Sequence, residues 1–172
     1  DGGPIEAHTD LVKKLDYECE LAVVLGKDAR DVPAGQTRDY IFGYTILNDV
    51  SARDVQTAHK QWYFGKSLDG FTPIGPCIVT ADAFADYPPR LGIRSFVNGE
   101  KRQDSNTALQ IFDIDHVIAE LSQGMTMKAG TIIATGTPAG VGMGMDPPQF
   151  LKPGDVVRCE IEGIGTLTNP VK

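Results

Sequence analysis

The stretch Leu15-Asp16-Tyr17-Glu18-Cys19-Glu20-Leu21-Ala22-Val23-Val24-Leu25-Gly26 starts by alternating and then turns continuously apolar, the pattern of a β-strand over 16–25 stopped by Gly26. Alternate side chains of a strand share a face. Glu18 and Glu20 therefore point one way, with Cα atoms roughly 6.5–7 Å apart, and Tyr17, Cys19 and Leu21 point the other. Two like charges on an otherwise apolar strand are costly unless something compensates them. Either a divalent cation sits between them, since hard cations take carboxylate oxygens, or this is an edge strand whose glutamate face is solvated.

Outward from that strand, β-patterns dominate. Residues 1–14 are irregular and polar and read as a mobile N-terminal arm. A turn and a short helix fit 36–40, and IFGYTILNDV (41–50) is a second strand. Residues 51–61 are polar, helical or irregular. A Gly/Pro-punctuated loop leads into a strand at 76–80. Residues 91–98 alternate as a strand, Asn98-Gly99 signals a hairpin, and the returning strand falls near 100–103. Ile114, Val117, Ile118 and Leu121 recur at helical spacing within 113–123, with Gly124 placed as a C-terminal cap. A buried-type strand at 131–135 precedes a long loop over 136–154. A strand at 156–161 then turns through Gly163-Ile164-Gly165 into the last one. Strands outnumber helices and no regular strand–helix alternation is present, so the fold class is α+β, β-dominated, with 15–172 as one domain.

The chain has 172 residues, enough for one core, and a formal net charge of −7, which argues against nucleic acid or an anionic membrane as the main partner. No apolar run approaches the ~18 residues of a membrane span, and no secretory leader is evident. Three cysteines, Cys19, Cys77 and Cys159, form no CxxC pair. A disulfide framework or zinc site is not expected; each cysteine reads as a small buried residue of a cytoplasmic protein.

Asp49, in Asn48-Asp49-Val50-Ser51-Ala52-Arg53-Asp54, is either the N-cap of a following helix or a third carboxylate beside Glu18 and Glu20. In the second case the trio suits Mg²⁺, Mn²⁺ or Ca²⁺, whereas zinc would want histidine or cysteine. His8, His59 and His116 show no ligand spacing, and His116 lies beside the apolar stripe of its helix. Lys66, in Gly65-Lys66-Ser67, is a surface lysine or an ammonium aimed at an anionic substrate. Thr135-Gly136-Thr137-Pro138-Ala139-Gly140-Val141-Gly142 is a turn-rich loop or a cradle of hydroxyls and N–H groups for an anion. It matches neither a P-loop nor a dinucleotide fingerprint.

From about residue 15 to its end the chain resembles the fumarylacetoacetate hydrolase family. The resemblance is carried by LDYECELAVVLGK (15–27), DYIFGYTILNDVSARDVQ (39–56), GKSLDGFTPIGP (65–76), NGEKRQ (98–103), TGTPAGVG (135–142) and FLKPGDVV (150–157), in that order. It implies a mixed β-sheet rolled into a barrel-like fold, usually a homodimer. It implies one Mg²⁺ or Mn²⁺, with Ca²⁺ as an alternative, on Glu18, Glu20 and Asp49. Substrate contacts map to Arg53, Gln56, Lys66 and Thr137, with Arg53 and Lys66 as the catalytic cations.

The substrates so implied are small 2-oxo acids, hydrolysed or decarboxylated at a C–C bond through a metal-stabilised enolate. The alternatives are isomerisation of a 2-hydroxyhepta-2,4-diene-1,7-dioate in aromatic catabolism, or a non-catalytic domain that binds metal and dicarboxylates. Family members also carry a His–Glu pair on an N-terminal lid. Here the short segment before the strand holds Glu6 and His8 in a different context, so no general base is assigned.

Overall fold

The structure, a computed structural model, describes residues 1–58 and 60–172. In chain order it contains β1 (Leu15–Asp16), β2 (Cys19–Leu25), β3 (Ile41–Asn48), β4 (Ser51–Ala52), α1 (Arg53–Ala58), α2 (Tyr63–Lys66), β5 (Ile74–Thr80), β6 (Gly92–Val97), β7 (Glu100–Asn106), α3 (Ile114–Leu121), β8 (Ile132–Ala134), β9 (Val156–Ile161) and β10 (Gly165–Pro170). The α+β, β-dominated class follows directly. Among the described residues, no helix is long and apolar enough to cross a membrane. His59, set aside as a ligand on spacing, lies outside the described residues.

Two four-stranded antiparallel sheets carry the core, one in the order β10-β9-β6-β7 and the other β5-β3-β2-β8, and β1 pairs with β4 beside them. The glutamate strand is therefore interior, between β3 and β8, and all seven residues of β2 are buried. This removes the solvated-edge reading: Glu18 is 9 % exposed and Glu20 3 %. The single strand expected over 16–25 is divided. Leu15 and Asp16 pair with Ala52 and Ser51, whereas Cys19–Leu25 pair with β3 and β8.

The rolled barrel implied by the family resemblance is not found; the described residues form two open sheets. At one junction β5 lies against β10 without a ladder. There Cys77 Sγ approaches the Ile164 carbonyl at 3.8 Å, and a Cβ on Gly165 would meet Pro76 Cγ at 3.2 Å. Cys77, expected to be buried, is exposed because β5 is an edge strand; Cys19 and Cys159 are buried between the sheets. The arm at 1–14 is fastened down. Ile5 is buried and exchanges backbone hydrogen bonds with Pro170 and Lys172, and Ala7 and Val12 are buried as well.

The long helix is shorter than its pattern. Asp113 caps it by accepting from the His116 N–H at 2.8 Å, and Ile114 and Ile118 are buried while Leu121 is 40 % exposed. The returning strand β7 runs past 103 to Asn106, and a 3-10 turn at Thr37–Tyr40 stands where the short helix was expected. Lys66, read as a loop residue, closes the short helix α2.

Candidate active site

The site is assembled where β2 begins and β3 ends. The Asn48 side chain accepts the Glu18 N–H at 2.9 Å, and the Asp49 N–H donates to the Glu18 carbonyl at 2.9 Å. These two bonds hold Glu18 and Asp49 side by side, although 30 residues of chain separate Glu18 from Asn48. Glu20 lies one alternation along, on the same face as Glu18. One carboxylate oxygen from each of Glu18, Glu20 and Asp49 lies within 4.8 Å of the other two. Asp49 is thus a member of an acidic cluster; the intervening β4 separates it from α1, and its carboxylate accepts from Lys66 rather than from a helix N–H.

Two cations frame the cluster. Lys66 Nζ donates to Glu18 Oε2 at 2.9 Å, Asp49 Oδ2 at 2.5 Å and Ser51 Oγ at 2.8 Å, which occupies all three ammonium protons. The sequence offered this lysine as an ammonium aimed at substrate; here it first binds the carboxylates together. Gly65 lets it approach. A Cβ there would sit 2.6 Å from the Gln56 nitrogen, so only glycine allows α2 this close to α1.

Arg53, 6 % exposed, reaches Glu18 Oε1 from Nη2 at 2.6 Å, Asp16 Oδ2 from Nε at 2.9 Å and Gln56 Oε1 from Nη1 at 3.1 Å. Among the described residues, three of its five N–H bonds are thus committed and two are left for an anion. Gln56 is placed to orient Arg53. Thr137 lies on the segment that borders Glu20, but its hydroxyl donates to the Cys19 carbonyl at 2.9 Å and accepts from Gln103 at 2.8 Å. The polar groups this segment offers an anion are its backbone N–H groups; that of Gly136 already serves Glu20 Oε2, at 2.7 Å.

Glu20 differs from its neighbours. Among the described residues no lysine or arginine pairs with it, and burial pushes its carboxyl up to about 7, with the charges of Asp49 and Glu18 adding to the rise. Burial likewise raises Asp49 against the pull of Lys66.

The carboxylate Asp16 belongs to the same network and was not singled out from the sequence. It shares the parity of Glu18 and Glu20, at i, i+2 and i+4, and that was the available signal. Ser51, Asn48 and Gln103 gave no such signal, because their roles are side-chain hydrogen bonds between segments distant in sequence.

Among the described residues, four carboxylates, Asp16, Glu18, Glu20 and Asp49, face two cations, Arg53 and Lys66, which leaves two negative charges in a buried setting once Glu20 is ionised. That is the charge of one divalent ion, and an all-oxygen donor set suits a hard one.

The comparisons with known proteins agree with the motif order. The family model described as fumarylacetoacetate (FAA) hydrolase C-terminal matches residues 1–172. The chain is 47% identical over 170 residues to the oxaloacetate tautomerase YisK of Bacillus subtilis (strain 168), covering 99% of this chain and 56% of that protein. A fumarylacetoacetate hydrolase structure from psychrophilic Exiguobacterium antarcticum superposes with a TM-score of 0.96 at 52% identity, over 99% of this chain and 61% of that one. A 2-hydroxyhepta-2,4-diene-1,7-dioate isomerase structure from Mycobacterium marinum does so with a TM-score of 0.87 at 44% identity, over 99% and 63%. The chain spans about 56% of the length of the curated relatives it matches. With its whole described length matched by the family model, this chain belongs to the fumarylacetoacetate hydrolase family.

Proposed function

We propose that the protein is a divalent-metal-dependent enzyme that turns a small 2-oxo acid into its enolate. The observation that supports this is the convergence of Glu18, Glu20 and Asp49 to within 4.8 Å beside Arg53 and Lys66, with two negative charges left over. Mg²⁺ or Mn²⁺, with Ca²⁺ as the alternative, would be held by these three carboxylates and would supply Lewis-acid stabilisation of the enolate charge.

The chain's own side chains do the rest. Arg53 offers its two uncommitted N–H bonds to the substrate carboxylate as a fork. Gln56 keeps the guanidinium oriented, and the backbone N–H groups around Thr137, on the segment that borders Glu20, add donors for an anion. Lys66 holds Glu18 and Asp49 together, and it can turn one N–H toward an anionic oxygen when substrate arrives.

The favoured outcome is proton relocation, that is, tautomerisation or dienoate isomerisation. It needs only the enolate and a proton carrier, and it is the chemistry named for the Bacillus and Mycobacterium marinum relatives. C–C bond hydrolysis or decarboxylation is the second reading, favoured by the name of the Exiguobacterium structure. It adds water activation or loss of CO₂ to the same enolate.

The test is a metal-dependence series on the full-length protein. Keto–enol exchange of oxaloacetate is followed by ultraviolet absorbance, and pyruvate release from oxaloacetate and acylpyruvates by a coupled assay. Exchange that disappears with EDTA and returns with Mg²⁺ or Mn²⁺ supports the first reading, and metal-dependent pyruvate release the second. Mg²⁺ and oxalate binding without turnover of any substrate would make this a binding module and refute both.

A further inference from the structure

Asp16 is completely buried and accepts four hydrogen bonds. Its Oδ1 takes the Tyr17 N–H at 3.0 Å and the Gly142 N–H at 2.7 Å; its Oδ2 takes Arg53 Nε at 2.9 Å and the Met143 N–H at 3.0 Å. Among the described residues it shares no hydrogen bond with the three clustered carboxylates. Besides the neighbouring Tyr17 N–H, its partners are the arginine that faces the cluster and the backbone at 142–143, where the anion-cradle segment ends. The loop is seated closely: a Cβ on Gly142 would lie 2.8 Å from Asp16 Oδ1 and 1.9 Å from the Gln149 carbonyl.

An arginine bound only through Nη2 to Glu18 could rotate about that contact. The bond to Asp16 from Nε, a second nitrogen of the planar guanidinium, removes that freedom. Anchors on all three nitrogens, to Glu18, Asp16 and Gln56, hold the remaining N–H bonds in one fixed direction.

We propose that Asp16 is a positioning residue for substrate binding: its buried carboxylate locks the Arg53 guanidinium and the 142–143 loop in the geometry that receives the substrate carboxylate. This inference rests on the reading of the site as a metal-assisted pocket for 2-oxo acids. Asp16 touches neither metal nor substrate; it acts through Arg53. A purely structural carboxylate would have the same burial, so the discriminating measurement is whether its effect passes through that arginine.

The experiment is a double-mutant cycle on the full-length protein, with Asp16→Asn, Arg53→Met and the two combined. Oxalate is titrated calorimetrically at saturating Mg²⁺, and Mg²⁺ alone is titrated in parallel. In Asp16→Asn the new NH₂ group must face two donors whichever way the amide turns, either Arg53 Nε and the Met143 N–H or the Tyr17 and Gly142 N–H groups, and the charge opposite Arg53 is gone, so the lock is weakened while the side-chain volume is kept. Oxalate affinity should fall at least tenfold in each single variant. The combined variant should bind oxalate no more weakly than Arg53→Met, and Asp16→Asn should bind Mg²⁺ within about threefold of wild type.

Oxalate affinity unchanged in a folded Asp16→Asn protein overturns the proposal, as do losses that multiply in the combined variant. If Asp16→Asn alone fails to fold, the combined variant decides. A folded protein with the affinity of Arg53→Met supports the coupling, and an unfolded one shows that the carboxylate serves the fold independently of Arg53 and overturns it. Wild-type protein that binds no oxalate with Mg²⁺ overturns the functional reading along with this one.

Discussion

Lys66 Nζ lies 2.9 Å from Glu18 Oε2 and 2.5 Å from Asp49 Oδ2, so one ammonium ties together two of the three clustered carboxylates. A cation in that position favours the charged forms of both neighbours, and it also opposes a second cation close by. Replacing it by Ala should therefore leave Mg²⁺ binding at least as tight as in wild type, by calorimetric titration. The same change should raise KM or lower kcat at least tenfold, because the group proposed to answer an anionic substrate oxygen is gone. Loss of Mg²⁺ binding in Lys66→Ala would mean the lysine builds the metal site rather than serving the substrate.

Among the described residues Glu20 has no such partner, and its replacement should act differently. Glu20→Ala removes one of the three proposed ligands and should weaken Mg²⁺ binding by at least a hundredfold and abolish metal-dependent activity. The fold should survive, because the lost group is a buried carboxylate whose desolvation opposes folding. Circular dichroism and a thermal melt check the fold; full activity in this variant would remove Glu20 from the site.

The raised Glu20 carboxyl also fixes a pH dependence. Its value climbs from 4.5 to about 7 on folding, mainly because burial penalises the charged form. The folded protein thus holds this proton more tightly than the unfolded chain does. Metal-free stability must fall as the pH rises from about 4.5 to about 7, by up to ~3 kcal/mol from this one group, and then level off. Urea midpoints measured in EDTA between pH 5 and 8 test this. With Mg²⁺ present the decline should shrink or reverse, and Mg²⁺ binding at pH 6 should release a proton, seen as a buffer-dependent binding enthalpy. A flat metal-free profile would show that Glu20 ionises as an ordinary carboxylate.

Elements governed by local pattern were legible in the sequence, and those governed by distant pairing were not. The alternation of Glu18 and Glu20 gave their shared face, and the Asn98-Gly99 turn gave the β6–β7 hairpin, because both depend on neighbouring residues. The break between β1 and β2 was hidden: Leu15 and Asp16 leave the strand to pair with Ala52 and Ser51, and nothing near residue 17 announces it. Cys77 looks as apolar in sequence as Cys19, and only the place of β5 at a sheet edge exposes it. In the site, Glu18 and Glu20 were legible because charges on an apolar strand call for an explanation, whereas Asp49 by itself read equally well as a helix cap and joined them only through the family motifs. The commitments of Thr137 to Cys19 and Gln103, and of Lys66 to Ser51, were not, since a hydroxyl or amide gives no hint in sequence of its partner.

Gly65 supplies the last test, one that reaches the site through backbone packing alone. A Cβ at this position would lie 2.6 Å from the Gln56 nitrogen and 2.7 Å from its Cα, both backbone atoms that cannot swing aside. Gly65→Ala must push α2 away from α1, at a cost of about 1–3 kcal/mol for overpacking. Lys66 is the next residue, so the displacement moves Nζ away from Glu18 and Asp49. The variant should melt at lower temperature and share the kinetic defect of Lys66→Ala, while Mg²⁺ binding persists. If Gly65→Ala keeps wild-type kcat and KM, the seating of α2 on α1 is not what sets the position of the lysine.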